Sequence, residues 1–211
     1  MIAIVDYGLG NLGSISNMLK AIGEKSRITS DKEVVERADG IILPGVGAFD
    51  SGMEKLNSLG LTEVLKSEAK KGKPILGICL GMQLLGRQSE EGVLSGLSLI
   101  PFECKKFRFE DRSFKVPHMG WDVVDFKKQH PIANGLKGRQ RFYFVHSFYA
   151  QCDKEEDVLM TCNYGHVFAA AVAKENVIGV QFHPEKSHDF GMSLLRNFVN
   201  MCYKSKNDGG R

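Results

Sequence analysis

The sequence predicts an α/β fold in a single domain, with a mostly parallel central sheet, helices on its faces and a strand-rich C-terminal half. Over the first 90 residues, short apolar runs alternate with helical stripes, which is the pattern of a doubly wound parallel sheet. Beyond residue 86 the chain changes to short aromatic and β-branched runs, which favour strands. With 211 residues, 43% hydrophobic and 25% charged, the chain suits one compact domain with a sizeable core.

In the first half, apolar runs and helical periodicity place the elements. Residues 2–5 form an apolar run typical of a buried strand, and apolar side chains recur at helical spacing over 15–22. The pattern then predicts a weak strand around Ile28, a short helix around 34–35, a strand at 41–43, a loop after Gly47 and a helix at 61–65. Residues 75–78 form the next buried strand, and a helix follows Cys79.

In the second half, strands are predicted at 97–100, 107–109, 123–126, 142–149, 168–172 and 177–182. A last helix is predicted from about 189 to 203, because apolar side chains recur there at helical spacing. We expect one domain over residues 1–203 and a polar tail over 204–211 that frays.

The run Gly77-Ile78-Cys79-Leu80-Gly81 stands between the strand at 75–78 and the helix behind it. It is the thiol counterpart of Gly-x-Ser-x-Gly, in which small neighbours let the backbone turn sharply and lift the nucleophile above the sheet edge. A helix N-terminus just behind Cys79 favours thiolate over thiol. The pattern predicts a nucleophilic cysteine, and a buried structural cysteine in such a turn would produce the same run.

His183 and Glu185 follow the apolar run at 177–182 and stand two residues apart. A cysteine nucleophile needs a base and a third group that orients the base, and these two side chains can fill both roles. Taken alone, His-Pro-Glu is as typical of a turn that ends a strand. On chemistry alone five other histidines compete for the role of the base: His118, His130, His146, His166 and His188.

Pro44-Gly45-Val46-Gly47 ends the strand at 41–43, and glycines there let backbone N–H groups approach a substrate. We interpret Gly45, Val46 and Gly47, with the amide of Leu80, as an oxyanion hole. An ordinary Pro-Gly turn would produce the same local pattern. In a parallel α/β sheet the loops at the carboxyl ends of the strands converge, so this loop, Cys79 and His183 can line one crevice.

Composition and motif searches exclude several classes of function. The net charge of +3 is mild and Lys and Arg are scattered, so we expect no nucleic-acid partner. Five cysteines without a C-x-x-C pair or Cys/His ligand spacing indicate no metal site, no cofactor and no disulfide framework. No basic leader precedes an apolar run, and no run approaches the ~20 residues of a membrane span. We therefore expect a cytoplasmic protein that does not bind membranes.

The run Gly8-Leu9-Gly10-Asn11-Leu12-Gly13 matches the G-x-G-x-x-G fingerprint of dinucleotide-binding folds. In that fingerprint the first glycine follows the strand almost directly, whereas Asp6 and Tyr7 intervene here. No clear acidic-ended second strand stands about 20 residues further on. We interpret these glycines as a turn that brings the first helix close to the sheet.

With the elbow, the glycine loop and the His-Pro-Glu turn in this order, the chain resembles class I (triad-type) glutamine amidotransferases, which implies a flavodoxin-like fold. Within that family it is most similar to the glutaminase subunits of imidazole glycerol phosphate synthases. The resemblance covers almost the whole chain. It is carried by residues 6–11, 44–49, 77–85, 117–121, 143–147 and 179–187.

The resemblance implies hydrolysis of the side-chain amide of glutamine. Cys79 would attack, a glutamyl thioester would form, ammonia would leave with a proton from His183, and water would release glutamate. Glu185 would orient His183.

By the same resemblance, four residues would hold the α-amino and α-carboxylate groups of the substrate: Gln83, His146, Ser147 and Phe148. The family usually has tyrosine where Phe148 stands, which is a small loss if the backbone makes that contact. A second departure is Asp122, where the family commonly has asparagine after Gly-Trp. Asp122 leaves glutamine hydrolysis intact but puts the partner surface in question.

The resemblance also implies a partner, because a glutaminase domain accounts for nearly the whole chain and ammonia released into water would be protonated. In the resembled complexes the partner is a (β/α)8 barrel cyclase, which forms a heterodimer, receives ammonia through a channel and makes imidazole glycerol phosphate for histidine biosynthesis. Five residues are expected at or near this interface: Asn11, Met119, Trp121, Tyr143 and Lys186.

Three alternatives remain open from the sequence. A paralogous glutaminase could supply ammonia to an enzyme that aminates surface sugars, and Asp122 keeps that interpretation open. A free-standing thiol hydrolase would share the fold and the triad but would be fully active alone. A binding protein without catalysis would have no reason to retain Cys79, His183 and Glu185 together.

Overall fold

The structure, a computed structural model, describes residues 1–136 and 138–208. Within these ranges twelve strands form one sheet: β1 (Ile2–Val5), β2 (Ser26–Thr29), β3 (Gly40–Gly45), β4 (Ile75–Cys79), β5 (Gln88–Ser89), β6 (Phe102–Lys106), β7 (His118–Phe126), β8 (Gln140–His146), β9 (Phe148–Cys152), β10 (Val158–Tyr164), β11 (His166–Lys174) and β12 (Val177–Val180). The α-helices in the same ranges are α1 (Leu12–Ala21), α2 (Lys32–Arg37), α3 (Phe49–Ser58), α4 (Leu61–Lys70), α5 (Leu80–Leu84) and α6 (His188–Asp208).

The sheet is mixed. Strands β2, β1, β3, β4 and β12 lie side by side in that order and are parallel. From β12 onward the sheet continues through β11, β10, β7 and β8 with antiparallel pairing, and β9, β6 and β5 branch from β11. The predicted α/β fold is confirmed, with its parallel strands grouped in one half of the sheet.

Among the parallel strands, β1, β3, β4 and β12 are buried throughout, which explains why they are apolar without alternation, whereas the edge strand β2 is mostly exposed. In β1, Ile2 and Ile4 face one core cluster, whereas Ala3 and Val5 face the other. Helices α1 and α6 cover the first face, and α3, α4 and α5 cover the second. Each fully buried aliphatic side chain contributes about 1.5–3 kcal/mol, so this double burial fixes the strand positions that carry the site.

The structure corrects the expected loop after Gly47. Residues of this segment form α3, with Phe49, Met53 and Leu56 buried against the second core cluster. The backbone N–H of Phe49, at the start of the helix, donates to the carboxylate of Glu91 at 2.9 Å. This partner is 42 residues away in sequence, so the signal that starts the helix is not local.

Strand prediction in the second half is partly wrong. Residues 97–100 and 107–109 are not strands: the first segment packs Leu97 and Ile100 into the core, and Phe107 and Phe109 stack on each other with ring centroids 5.3 Å apart. The strand between them is β6. The predicted strand at 142–149 is divided at Ser147 into β8 and β9, and β10 lies where the sequence predicts no strand.

The other predicted elements are present at or close to the expected positions. Helix α6 continues to Asp208, which includes residues predicted as a tail, and 209–211 lie outside the described residues. Over the described part of the chain, no helix is long and apolar enough to cross a membrane.

Candidate active site

Cys79 sits on a sharp corner between β4 and α5, in a backbone conformation with φ 54° and ψ −111°. This conformation is strained for a residue with a side chain, and such strain persists only where the surroundings enforce it. A Cβ on Gly81 would lie 1.8 Å from the carbonyl oxygen of Leu43, and a Cβ on Gly77 would lie 2.7 Å from that of Gly81. Both glycines of the predicted elbow are therefore required by close backbone approach.

His183 and Glu185 form a buried pair. The carboxylate of Glu185 accepts a hydrogen bond from Nδ1 of His183 at 2.8 Å, and both side chains are 2% exposed. The pair meets through the short 3₁₀ turn Pro184–Lys186, since β12 already ends at Val180. The predicted proximity is present, although strand geometry does not produce it.

The electrostatics of the pair favour a cationic imidazole. Burial lowers the pKa of His183, but the neighbouring Cys79 and the Glu185 carboxylate outweigh burial and raise it to about 9. Nε2 of His183 is buried and has no hydrogen-bond partner among the described residues. His183 and Cys79 line the same cavity. The ring nitrogen opposite Glu185 is therefore available to exchange a proton with the thiol or with a bound substrate.

The cavity beside Cys79 has a volume of about 300 Å³. Nine of the predicted site residues line it: Val46, Gly47, Cys79, Leu80, Gln83, His146, Ser147, Phe148 and His183. Three lining residues were not predicted: Glu91, Pro117 and Val145. Gly45 and Glu185 do not line the cavity, because Gly45 pairs with Cys79 between β3 and β4 and Glu185 lies behind His183.

The loop predicted as an oxyanion hole lies next to the elbow. Gly47 has φ 108°, in the region that favours glycine, and Val46 is exposed at the cavity. The hydroxyl of Tyr7 donates to the carbonyl oxygen of Pro44 at 2.6 Å. A Cβ on Gly45 would lie 2.2 Å from that hydroxyl, so Tyr7 and Gly45 fit together only without a side chain on Gly45. These contacts hold the start of the loop against the sheet.

Another part of the cavity wall is organised around the backbone carbonyl of Phe148. This oxygen accepts hydrogen bonds from Nε2 of Gln83 at 3.3 Å and from Nδ1 of His146 at 2.8 Å. Gln83 also donates to Oε1 of Gln181 at 3.2 Å, and Nε2 of Gln181 lies 3.9 Å from the sulfur of Cys79. Because the backbone of Phe148 makes these contacts, its side chain is not required for them.

Among the competing histidines, His118 and His146 are engaged with each other. Nδ1 of His118 lies 3.0 Å from Nε2 of His146, and burial lowers the pKa of His146 to about 3. His130 caps the 3₁₀ turn Pro131–Ala133, His166 packs among aromatic rings, and the ring of His188 stacks on Trp121 at 5.4 Å. His183 is therefore the histidine whose surroundings suit a base beside Cys79.

The remaining cysteines differ from Cys79 in their surroundings. Burial raises the pKa of Cys152, Cys162 and Cys202 to about 12, and it raises that of Cys104 as well. None of these four thiols lines the cavity. All five cysteines are free thiols. Within the described ranges, no group of three or more His, Cys, Asp or Glu side chains is arranged to hold a metal ion.

A comparison with protein families identifies the family of the chain. The family model described as "Glutamine amidotransferase class-I" matches residues 3–202. The chain belongs to this family. The resemblance that the motifs predicted is confirmed.

The curated relatives of this class-I glutamine amidotransferase include components of one synthase. "Imidazole glycerol phosphate synthase subunit HisH 2" of Pseudomonas aeruginosa is 51% identical over 95% of this chain and 100% of its own length. The protein of the same name from Methanococcus maripaludis is 51% identical over 94% of this chain and 98% of its own length.

Solved structures show the same fold at lower identity. The crystal structure of another glutamine amidotransferase has a TM-score of 0.76 at 18% identity, covering 96% of this chain and 100% of its own. PurLQS from Thermotoga maritima has a TM-score of 0.73 at 19% identity, covering 95% of this chain and 97% of its own.

Among the residues predicted to contact a partner of this amidotransferase, Asn11 is exposed at the start of α1, and the other four lie on β7, β8 and the turn Pro184–Lys186. Trp121 pairs with Tyr143 between β7 and β8, and Nζ of Lys186 lies 5.5 Å from the centre of the Tyr143 ring. Met119, two residues before Trp121, is 62% exposed, and Trp121 is 37% exposed. We call Met119, Trp121, Tyr143, Lys186 and the stacked ring of His188 the Trp121 surface.

Proposed function

We propose that this chain hydrolyses glutamine at Cys79 and supplies the ammonia to the cyclase subunit of an imidazole glycerol phosphate synthase, in histidine biosynthesis. The observation that carries this proposal is the buried His183–Glu185 pair at a cavity that also presents a strained cysteine. The acceptor is inferred from relatives named as subunits of this synthase, at 51% identity over nearly the full chain.

In the first half of the reaction, His183 takes the proton of the Cys79 thiol, and the sulfur attacks the side-chain amide carbon of glutamine. The tetrahedral oxyanion that forms is stabilised by the amide of Leu80 and by amides of the Gly45–Gly47 loop. When it collapses, the C–N bond breaks and the imidazolium gives its proton to the leaving ammonia. Glu185 stabilises that imidazolium throughout.

In the second half, His183 takes a proton from water, and the resulting hydroxide attacks the thioester of Cys79. The C–S bond breaks, glutamate leaves, and the sulfur regains a proton. The net reaction is glutamine and water to glutamate and ammonia. No cofactor or metal is required for this balance.

The cavity offers groups that match the α-carbon end of glutamine. Glu91 is the carboxylate among the lining residues, which suits the α-ammonium group. Gln83, Ser147 and Phe148 line the same cavity, and Gln83 donates to the backbone carbonyl of Phe148. We assign them to the α-carboxylate and to the orientation of the amide.

A (β/α)8 barrel cyclase is the partner that we propose for the Trp121 surface. Exposed aromatic and apolar side chains such as Trp121 and Met119 are frequent anchors of protein interfaces. Ammonia released at Cys79 would be protonated in water, so docking must enclose a path to the cyclase site. We further propose that the heterodimer works in the cytoplasm, where the five free thiols stay reduced.

The test measures glutamate release from the chain alone, with a barrel cyclase, and with cyclase plus its ribotide substrate. We expect slow hydrolysis by the chain alone and strong stimulation in the complete mixture. Full activity of the chain alone would favour a free-standing thiol hydrolase. Stimulation by a sugar-aminating enzyme, and not by the cyclase, would assign the chain to the paralogous glutaminases.

A further inference from the structure

Three consecutive hydrogen-bonding contacts run from Asp122 to the wall of the glutamine cavity. Oδ2 of Asp122 lies 3.0 Å from Nε2 of His118, and Nδ1 of His118 lies 3.0 Å from Nε2 of His146. Nδ1 of His146 lies 2.8 Å from the carbonyl oxygen of Phe148. The middle contact exists because His118 and His146 are directly paired between β7 and β8. Both imidazole rings are buried, whereas Asp122 is partly exposed.

A count of hydrogen atoms shows that this chain of contacts is incomplete with neutral rings. Each contact needs one hydrogen, so three are required. Two neutral imidazoles carry one N–H each, and neither a carboxylate nor a carbonyl carries any. When His118 donates to the carboxylate of Asp122, either the middle contact or the contact to Phe148 lacks its hydrogen. One additional proton completes all three.

An asparagine at position 122 would complete the same contacts without that proton. Its amide would donate to Nε2 of His118, His118 would donate through Nδ1 to His146, and His146 would donate through Nδ1 to Phe148. Asparagine and aspartate have the same shape, so they differ here only in that the amide can donate a hydrogen bond and the carboxylate cannot. The two side chains therefore select opposite tautomers of a neutral His118.

We propose that Asp122 is a positioning residue for glutamine binding, which acts through His118 and His146 and makes the Phe148 wall of the cavity depend on one added proton. This inference rests on the proposed assignment of that wall to glutamine. When the proton is present, His146 donates fully to the Phe148 carbonyl and holds the wall. When it is absent, the single N–H of His146 is divided between Phe148 and His118.

The groups around the two histidines favour His118 as the site of the added proton and lower the pH at which His118 binds it. Burial lowers the pKa of His118, and the Asp122 carboxylate opposes that effect. Burial also lowers the pKa of His146, which has no carboxylate beside it. The other titratable groups that face these side chains are Tyr164, stacked on His118 at 4.0 Å, Cys162 beside Asp122, and His183 beside His146.

The added proton gives a specific dependence of glutamine affinity on pH. The α-groups of glutamine titrate little between about pH 4.5 and 7, so a change in KM over this range reports on the protein. As pH rises through the pKa of His118, the wall loses one hydrogen bond and KM increases. The loss of one hydrogen bond corresponds to about a two- to tenfold change in KM.

The test compares the natural chain with Asp122→Asn and with Asp125→Asn, which removes an exposed carboxylate from the same strand. KM and kcat for glutamate release are measured from about pH 4.5 to 7, because the pKa of His118 is lowered from its ordinary value. We expect KM to rise about two- to tenfold with pH in the natural chain and in Asp125→Asn, and to stay constant in Asp122→Asn. Parallel KM profiles in all three proteins would overturn the proposal, since a merely structural role of Asp122 predicts them.

A second readout does not depend on turnover. In histidine-labelled protein at about pH 8, long-range ¹H–¹⁵N spectra should show His118 protonated at Nε2 in the natural chain and at Nδ1 in Asp122→Asn. The same tautomer in both proteins would overturn the proton count. A chain that releases no glutamate, yet shows the tautomer change, would refute the proposed function and leave the hydrogen-bond arrangement established.

Discussion

Replacing Glu185 with glutamine tests how much the buried carboxylate contributes to catalysis. Glutamine keeps the size of the side chain and can still accept a hydrogen bond from Nδ1 of His183, but it removes the negative charge. The 2.8 Å contact is shielded from water, since both side chains are 2% exposed, so solvent does not screen the loss. A hydrogen bond to a charged group contributes about 1.5–3 kcal/mol, compared with about 1 kcal/mol for a neutral one.

This difference sets the expected size of the effect. Because glutamine keeps a neutral hydrogen bond, the net loss of support for the imidazolium is about 0.5–2 kcal/mol, which corresponds to a drop in kcat/KM of about two- to 30-fold. The pH dependence should change too. The raised pKa of His183, about 9, makes activity decline as pH rises through that value. Without the carboxylate the pKa of His183 falls, so in Glu185→Gln the alkaline decline moves to lower pH.

The assay is glutamate release from about pH 6 to 10 by the natural chain, Glu185→Gln, His183→Ala and, as a control, Glu155→Gln, which alters an exposed glutamate. We expect His183→Ala near background and Glu155→Gln unchanged. An unaltered alkaline decline in Glu185→Gln would refute the reasoning, because it would mean that the carboxylate does not support the imidazolium.

Three further results are expected. Gly81→Ala should lower the free energy of unfolding, measured by urea unfolding, by about 1–3 kcal/mol or more, because the new Cβ would lie 1.8 Å from a backbone oxygen. The control Gly13→Ala, whose Cβ would meet nothing within 4 Å, should be neutral or stabilising. Trp121→Ala should weaken cyclase binding by about 2 kcal/mol in calorimetry, and Val167→Ala, at another exposed apolar side chain, should not. The pKa of His183 is raised above its ordinary value, so protonated His183 stabilises the fold fully below about pH 6.5, and this stabilisation is lost as pH rises through about 9. The melting temperature of the natural chain should therefore fall between these pH values more than the melting temperature of His183→Ala.

The parts of the site that sequence predicted correctly depend on local geometry. The glycines around Cys79 are needed within one tight turn, so their spacing is visible in a short run of residues. The convergence of Gly47, Cys79 and His183 follows from the parallel order of the strands that precede them.

The parts that sequence missed depend on distant partners. Glu91 reaches both the cavity and the start of α3 from a loop that carries no spacing signal. The contact between His118 and His146 requires the register of β7 on β8, which an isolated strand pattern does not specify. Asp122 is unusual in the sequence itself, but its partner His118 becomes visible only in the folded chain.

Covalent labelling by a glutamine-mimicking electrophile tests the central claim most directly. The natural chain is treated with the reagent, digested and mapped by mass spectrometry, with excess glutamine as the competitor. We predict a single modified cysteine, Cys79, protected by glutamine and absent when His183 is replaced by alanine. A label on any of the other four cysteines in place of Cys79, or labelling that glutamine does not suppress, would contradict the assignment of Cys79 as the nucleophile.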